Sequence, residues 1–430
     1  MTLRREIGFV EAASYGIGVI LGAGIYALVG KAAAEAGNAV WISFLIGTLI
    51  ATTTGLSYVE LASMYPSAAA EYVYVLHAYR RNWLAFLTGW SMLFAQILAA
   101  ATVALGFAGY FSGLFPAPTP IVAIILVALL PVLIVSGTEE SVRVGMLFMI
   151  IEVIGLLVVI ALGLPRLGNT NLLEAPTGLF GILAGSALVF FAFIGFENIA
   201  NLAEEATNPQ KVIPRAIIFS ILVCAVLYIL VSISAISLVG WQALGISSAP
   251  LADAVASSLG GQSYTILSVI ALFATANTVL AVLITGSRIL YGMAKRTVLP
   301  PALGRVGKKR ATPTFAILTT LALTSVLVLV GDIRLLAEMT SFGALFAFTL
   351  VNASLIRLRR TEPNAHRPFK VPFSVGPVPL PTLAAIVSCL VLLVRFDPYI
   401  IVLGSPFIAL GFVLYFFQKQ KIQRGGPKPG

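Results

Sequence analysis

The chain has 430 residues, of which 59% are hydrophobic and 10% charged, and its mean hydropathy is +1.00. An ordinary soluble domain is about 25% charged, so this composition argues against a soluble enzyme or nucleic-acid binder, and it is far too apolar for disorder. The 27 Lys+Arg against 17 Asp+Glu leave a formal charge of +10 that topology has to explain.

A membrane helix needs about 20 mostly apolar residues. Twelve candidate runs follow one another: 8–30, 39–63, 83–112, 119–137, 143–164, 178–203, 214–239, 264–291, 313–330, 334–356, 380–396 and 399–418. The first is too long and too interrupted by glycine for the core of a cleavable signal peptide. Cys224 and Cys389 lie inside apolar runs and make no metal or disulfide spacing. With the N-terminus inside, 23 basic residues fall on the cytoplasmic side. Only Lys31, Arg166, Arg334 and Arg395 fall outside. Basic residues favour cytoplasmic loops, so the +10 balance is a topology signal. It predicts cytoplasmic N- and C-termini, with residues 419–430 as a cytoplasmic tail. Lys308-Lys309-Arg310 and Arg357-x-Arg359-Arg360 fit the same role.

Two runs are predicted to break in mid-membrane. The first carries Gly16-Ile-Gly18-Val-Ile-Leu-Gly22-Ala-Gly24, and the sixth carries Phe191-Ala-Phe-Ile-Gly195-Phe-Glu197-Asn198. Glycine weakens a helix by about 1 kcal/mol against alanine, although small residues also serve close helix packing. Gly22 lies about 14 residues from the inner end of its run, and Gly195 about 17 from the outer end of its own. Interrupted helices at corresponding places in opposite orientation point to an inverted-repeat transporter. Half-helix ends carry free N–H groups at one terminus and free C=O groups at the other. Such ends suit a carboxylate and an amine a few ångströms apart, as in a zwitterionic amino acid.

Five motifs then occur in order. They are the glycine run of span 1, Tyr58-Val-Glu60 to Pro66 with Glu71-Tyr72, and Phe191–Glu197 followed by Glu204-Glu205-Ala-Thr-Asn208-Pro209. Ser287-Arg288-Ile-Leu-Tyr291 and Arg367-Pro368-Phe-Lys-Val-Pro372 complete the set. Together the chain resembles the amino acid–polyamine–organocation (APC) superfamily of amino acid permeases. The resemblance implies an all-α polytopic membrane protein of 12 transmembrane helices with the leucine-transporter-type five-plus-five inverted repeat. Residues 8–164 would form the first repeat, 178–356 the second, and 380–418 two added spans. It also implies substrate contacts at Ile20, Gly22, Ala23 and Gly24, with Phe191 as an aromatic gate over Ile194 and Gly195. Gln96, the one amide of span 3, is either a substrate contact or an interhelical hydrogen bond. Asn277 and Thr278 are ion or substrate ligands, or polar glue between helices.

Carboxylates are scarce, so their depth matters. Glu11 and Glu60 lie near inner helix ends within reach of water, where interfacial salt bridges are expected. Glu152 lies nine residues past Arg143, about 13 Å along a helix and so close to mid-bilayer. In the superfamily it resembles, many proton-coupled members have Lys at the place of Glu152, and many members have Asp at that of Glu197 while some proton-responsive ones have Glu. A Glu at 152 cannot act as a fixed cation; it can carry a proton or ligate a cation. Glu152 and Glu197 are therefore expected to couple transport to protons. The expected protein is a plasma-membrane secondary transporter of neutral L-amino acids working by alternating access, with no cofactor, no enzymatic activity and no nucleic-acid partner. Sodium symport, amine or amino acid exchange, a sensor and a channel stand as alternatives.

Overall fold

The computed structural model describes residues 3–425 apart from residues 4, 169, 248, 297, 308–311 and 397. The side chains of residues 23, 27, 136, 138, 139 and 418–425 are also outside the description. The basic run Lys308-Lys309-Arg310, the side chain of Ala23 and residues 426–430 therefore lie outside it.

The apolar runs fold as helices, because a backbone in hydrocarbon must bond to itself. In chain order they are α1 (Phe9–Ala36), α2 (Val40–Met64), α3 (Ala70–Tyr79), α4 (Asn82–Leu114), α5 (Thr119–Ser136), α6 (Thr138–Gly163), α7 (Gly178–Phe193) and α8 (Phe196–Asn201). There follow α9 (Pro209–Ile246), α10 (Pro250–Leu259), α11 (Gly261–Lys295), α12 (Thr314–Val328), α13 (Ile333–Thr361), α14 (Leu380–Arg395) and α15 (Pro398–Gly425). A two-stranded hairpin, β1 (Ser374–Val375) with β2 (Val378–Pro379), leads into α14.

Helix ends depart from the hydropathy boundaries where local propensity overrides them. Helix α1 outlasts its apolar run because Lys31-Ala-Ala-Ala-Glu-Ala36 is made of strong helix formers. Helix α9 begins early, with Pro209 at a helix start where its missing N–H costs nothing. The short helices α3 and α10 lie in connections outside the twelve runs.

Among the described residues, nine helical stretches are long and apolar enough to cross a membrane. The apolar helices Thr119–Val135, Thr314–Val328 and Leu380–Arg395 are shorter. The outward faces are apolar at helical spacing. Examples are Ile121, Ile125, Leu129 and Val132 on α5, and Leu147, Ile150, Ile154 and Leu157 on α6. An exposed apolar belt of this kind has lipid as its solvent.

The helices sort into two groups. Helices α1, α2, α7 and α9 pack on one another, and α4, α5, α11 and α12 do the same. Helix α6 lies against α1, α9 and α11, while α13 lies against α7, α2 and α4. Helix α14 covers α2 and α13, and α15 covers α4 and α13.

Glu60 is fully buried, away from the water that its place near a helix end predicts. Its carboxylate meets two guanidinium groups. Arg359 donates through Nε to Oε1 at 3.0 Å and through Nη2 to Oε2, and Arg367 Nε lies 3.1 Å from Oε1. The Val371 N–H adds a bond of 2.7 Å, and Arg359 also donates to Ser374 at 2.6 Å. This cluster ties α2 to the chain between α13 and α14. Breaking a buried pair from one side typically costs about 3–5 kcal/mol. Glu60→Gln is expected to lower unfolding stability in detergent by about that amount. Arg334→Gln, which removes the exposed Arg334–Glu338 pair, should change it by less than about 1 kcal/mol. Equal effects of the two substitutions would refute the assignment.

Candidate functional site: two broken helices

Helix α1 loses helical geometry at Gly22, where φ is −19° and ψ −126°. A side chain there would collide with Thr278 of α11. Between α7 and α8 the chain is extended at Ile194 and then turns through Gly195, with φ +146° and ψ −27°. That is a left-handed conformation open to glycine, and an added Cβ would lie 2.7 Å from Val19 Cγ1. Both interruptions fall at the glycines that the sequence singles out.

The breaks lie side by side. Tyr228 of α9 points its hydroxyl at the carbonyl oxygens of Ile20, beside the first break, and Ala192, just before the second, the latter at 2.9 Å. A phenol has one proton, so it can serve only one of these carbonyls at a time. Thr278 Oγ1 lies 3.3 Å from the Gly18 carbonyl, which helps satisfy the first break from α11.

A cavity of about 20 Å³ opens between the breaks. Val19, Ile20, Gly24, Phe191, Ala192 and Ile194 line it from the broken helices, Ala99 and Val103 from α4, and Thr278 and Val282 from α11. The lining carries no charged side chain. A void of this size holds about one water; an amino acid needs the walls to part. Of the predicted contacts, Ile20, Gly24, Phe191 and Ile194 are in the lining, while Gly22 and Gly195 form the breaks themselves.

Gln96 turns away from the cavity toward α8. Its Nε2 donates to Asn198 Oδ1 at 2.7 Å and to Glu197 Oε1 at 3.2 Å. Glu197 Oε2 accepts the Gly195 N–H at 2.8 Å, so this carboxylate caps the second break. Gln96 Oε1 and Asn198 Nδ2 are buried with no partner among the described residues. Glu152 is brought to a different place. Its carboxylate faces the Asn277 side chain, yet neither oxygen makes a hydrogen bond of good geometry. Its backbone carbonyl accepts from Tyr26 of α1 at 2.9 Å. Asn277 itself packs on the bare backbone of Gly18. The two acids expected to work together thus sit in separate surroundings.

The end of the bundle that holds residues 5–8 is closed by polar contacts. The Glu6 and Ile7 N–H groups both donate to the Glu205 carbonyl at 3.0 Å, and Thr207 N–H donates back to Ile7. The buried Arg288 of α11 donates through Nε to Glu205 Oε1 at 3.0 Å. Glu204 accepts from the Ser67 hydroxyl at 3.1 Å and the Ala68 N–H at 3.2 Å and lies 3.6 Å from Lys295 Nζ. Tyr15 donates to the Ala281 carbonyl at 2.8 Å beside Thr285, one turn above Arg288.

Sequence reasoning missed Tyr228, Tyr58, Asn201, Ala99, Val103 and Val282. The last three are ordinary apolar helix residues and carry no signal. A tyrosine or asparagine inside an apolar run does carry one, since each needs a buried partner. Glu71 stands in a motif of the second connection, yet its burial is visible only in the fold.

An amino acid permease family model matches residues 7–417. The chain is 30% identical to the branched-chain amino acid permease BcaP of Bacillus subtilis over 98% of this chain and 94% of the relative. It is 31% identical to the vacuolar cationic amino acid transporter 4 of Arabidopsis thaliana over 84% of this chain and 64% of that longer protein. It is 29% identical to the methylthioribose transporter of Bacillus subtilis over 98% and 94%. A match over almost the whole length, to relatives that are transporters and not enzymes, means that this multi-pass membrane protein belongs to the amino acid permease family of the APC superfamily.

Proposed function

We propose that the protein is a secondary transporter of neutral L-amino acids that works by alternating access and is driven by protons. The observation that carries the reading is the pair of helix breaks at Gly22 and Ile194–Gly195 facing one uncharged cavity. Free N–H groups at the start of the outer half of α1 would take the substrate carboxylate. Carbonyls at the ends of the inner half of α1 and of α7 would take the amine. Once the walls part, a lining that is apolar save for Thr278 suits an uncharged side chain.

On this reading twelve helices cross the plasma membrane with both termini inside, the three shorter ones at some cost in bilayer thinning. The packing supports a five-plus-five repeat. Helix α1 pairs with α7, α2 with α9, α4 with α11 and α5 with α12, while α6 and α13 contact corresponding partners. Phe191 gates the cavity, and the contacts of Glu204, Glu205 and Arg288 close its inner side. Glu152 and Glu197 carry the coupling proton. Asn277 and Thr278 serve as ion ligands if sodium replaces it, because Thr278 reaches the carbonyls of α1 and Asn277 faces Glu152.

Labelled leucine in proteoliposomes tests the transport reading: saturable counterflow is expected, and an unsaturable ion current would refute a carrier. Gly195→Ala should lower leucine counterflow at least about 100-fold, since a positive-φ residue against Val19 strains the break by roughly 1–3 kcal/mol and displaces its geometry. Wild-type rates in that variant would remove Gly195 from the site. Glu152→Gln should abolish uptake driven by an imposed pH gradient while leucine still raises thermal stability. Unchanged pH dependence would free Glu152 of any coupling role.

A further inference from the structure

Glu71 is fully buried, although it lies outside the apolar runs, in the first turn of the connecting helix α3. Tyr58 of α2 donates to Glu71 Oε1 at 3.2 Å, and Asn201 of α8 donates from Nδ2 to both carboxylate oxygens at 3.2 Å. Asn201 Oδ1 in turn accepts the Ala70 N–H at 3.0 Å, which locks the start of α3 onto α8. The same Asn201 Nδ2 lies 3.3 Å from the backbone carbonyl of Glu197, one helical turn earlier. Asn201 thus stands between the Glu71 carboxylate and the Glu197 backbone, and the charge on Glu71 is felt at Glu197. No basic side chain is paired with either acid among the described residues.

We propose that Glu71 is the inner member of a two-acid proton relay, receiving the coupling proton from Glu197 past Tyr58 and Asn201. The inference rests on the proton-coupled reading above and adds a route out of the site. In the step, the O–H bond of a neutral Glu197 carboxyl breaks and one forms on the Glu71 carboxylate. The pair carries one negative charge before and after, and no other reactant is needed. Two carboxylates in one buried site rarely ionise together, so the proton belongs to the pair. Charged and titratable groups around Glu71 are few. Helix α2 offers Tyr58, α8 offers Glu197, and α3 itself offers Tyr74. Arg357 of α13 is engaged with the Ala78 carbonyl and the Tyr79 ring at the far end of α3, and α4 sends Gln96 to Glu197. Burial pushes the Glu71 carboxyl up to about 7, against the pull of its Asn201 and Tyr58 hydrogen bonds. It is therefore protonated below neutral pH and ionised above it.

The test uses the full chain in proteoliposomes with labelled leucine and a trapped pH dye. Glu71→Gln keeps size and one acceptor oxygen for Tyr58 and Asn201 but cannot titrate. It should hold counterflow within about twofold of wild type and lose gradient-driven leucine accumulation, with its dye signal, by at least tenfold. Tyr58→Phe keeps the ring between Phe196 and Phe348 and removes the hydroxyl that favours the ionised acid. It should move the pH midpoint of uptake upward by about one unit, the worth of one charge-assisted hydrogen bond. Wild-type accumulation in Glu71→Gln, or an unmoved midpoint in Tyr58→Phe, overturns the relay and leaves the coupling reading standing. Wild-type leucine uptake indifferent to the pH gradient overturns both.

Discussion

In hydrocarbon every backbone N–H and C=O needs a partner inside the protein, and each one left bare costs several kcal/mol. Two of the helices nonetheless stop and restart where they are buried. The structure meets this constraint with few groups. Tyr228 stands between the Ile20 and Ala192 carbonyls, Thr278 supports the Gly18 carbonyl, and the Glu197 carboxylate takes the Gly195 N–H. Each comes from, or reaches across to, an element other than the one it repairs, save Glu197, which folds back on its own turn. The breaks thus hold because neighbouring helices hold them. They are also adjustable: Tyr228 has one proton and two carbonyls in reach, so a small relative motion of α1 and α7 can exchange one bond for the other.

That economy also bears on how the site opens. The cavity takes about one water, so on the proposed reading entry of an amino acid has to move helices rather than side chains alone. The packing offers natural units for such motion, with α1, α2, α7 and α9 against α4, α5, α11 and α12. Among the described residues, polar contacts cross between these units at the end near residues 5–8, including Arg288 with Glu205, Lys295 with Glu204 and Tyr15 with Ala281. Polar contacts can be traded for water as they part, which interdigitated apolar contacts cannot. By contrast, Glu60 and its two arginines are shut in and tie α2 to α13 and α14. A buried charge cluster of that kind resists opening, so motion at α2 has to carry the Arg359–Ser374 segment with it.

The helix breaks were legible because glycine is costly in a helix and four of them stand within nine residues of α1. The site's depth was legible because a carboxylate in an apolar run is conspicuous, which is how Glu152 and Glu197 stand out. The partners of these groups were not. Glu60 meets Arg359 across 299 residues, and Tyr228 meets Ile20 across 208; no local pattern encodes either. Gln96 could be read as a substrate contact or as a bond between helices, and only the path of α8 shows that it turns to Glu197 and Asn198. Glu71 was hidden for the opposite reason. It lies between apolar runs, where a carboxylate is expected to be wet, and the packing of α3 on α4 and α13, with Asn201 of α8 bonded to its start, buries it.

Scarcity of charge links these features. A membrane protein can afford few buried acids, and among the described residues here they fall into distinct arrangements. Glu60 and Glu205 are matched by arginines. Among the described residues, Glu71, Glu152 and Glu197 have no paired cation; Glu71 and Glu197 accept from neutral amides, a hydroxyl and a backbone N–H, and Glu152 faces the neutral Asn277 amide. A neutral donor supports a carboxylate without fixing it in the ionised form, whereas an arginine fixes it. The same helix α8 carries Glu197 at the break and Asn201 at the Glu71 contact, so any tilt of α8 moves both acids' environments together. In the proposed proton-coupled cycle, α8, which starts directly after the break at Ile194–Gly195, also sets the surroundings of Glu71 and Glu197.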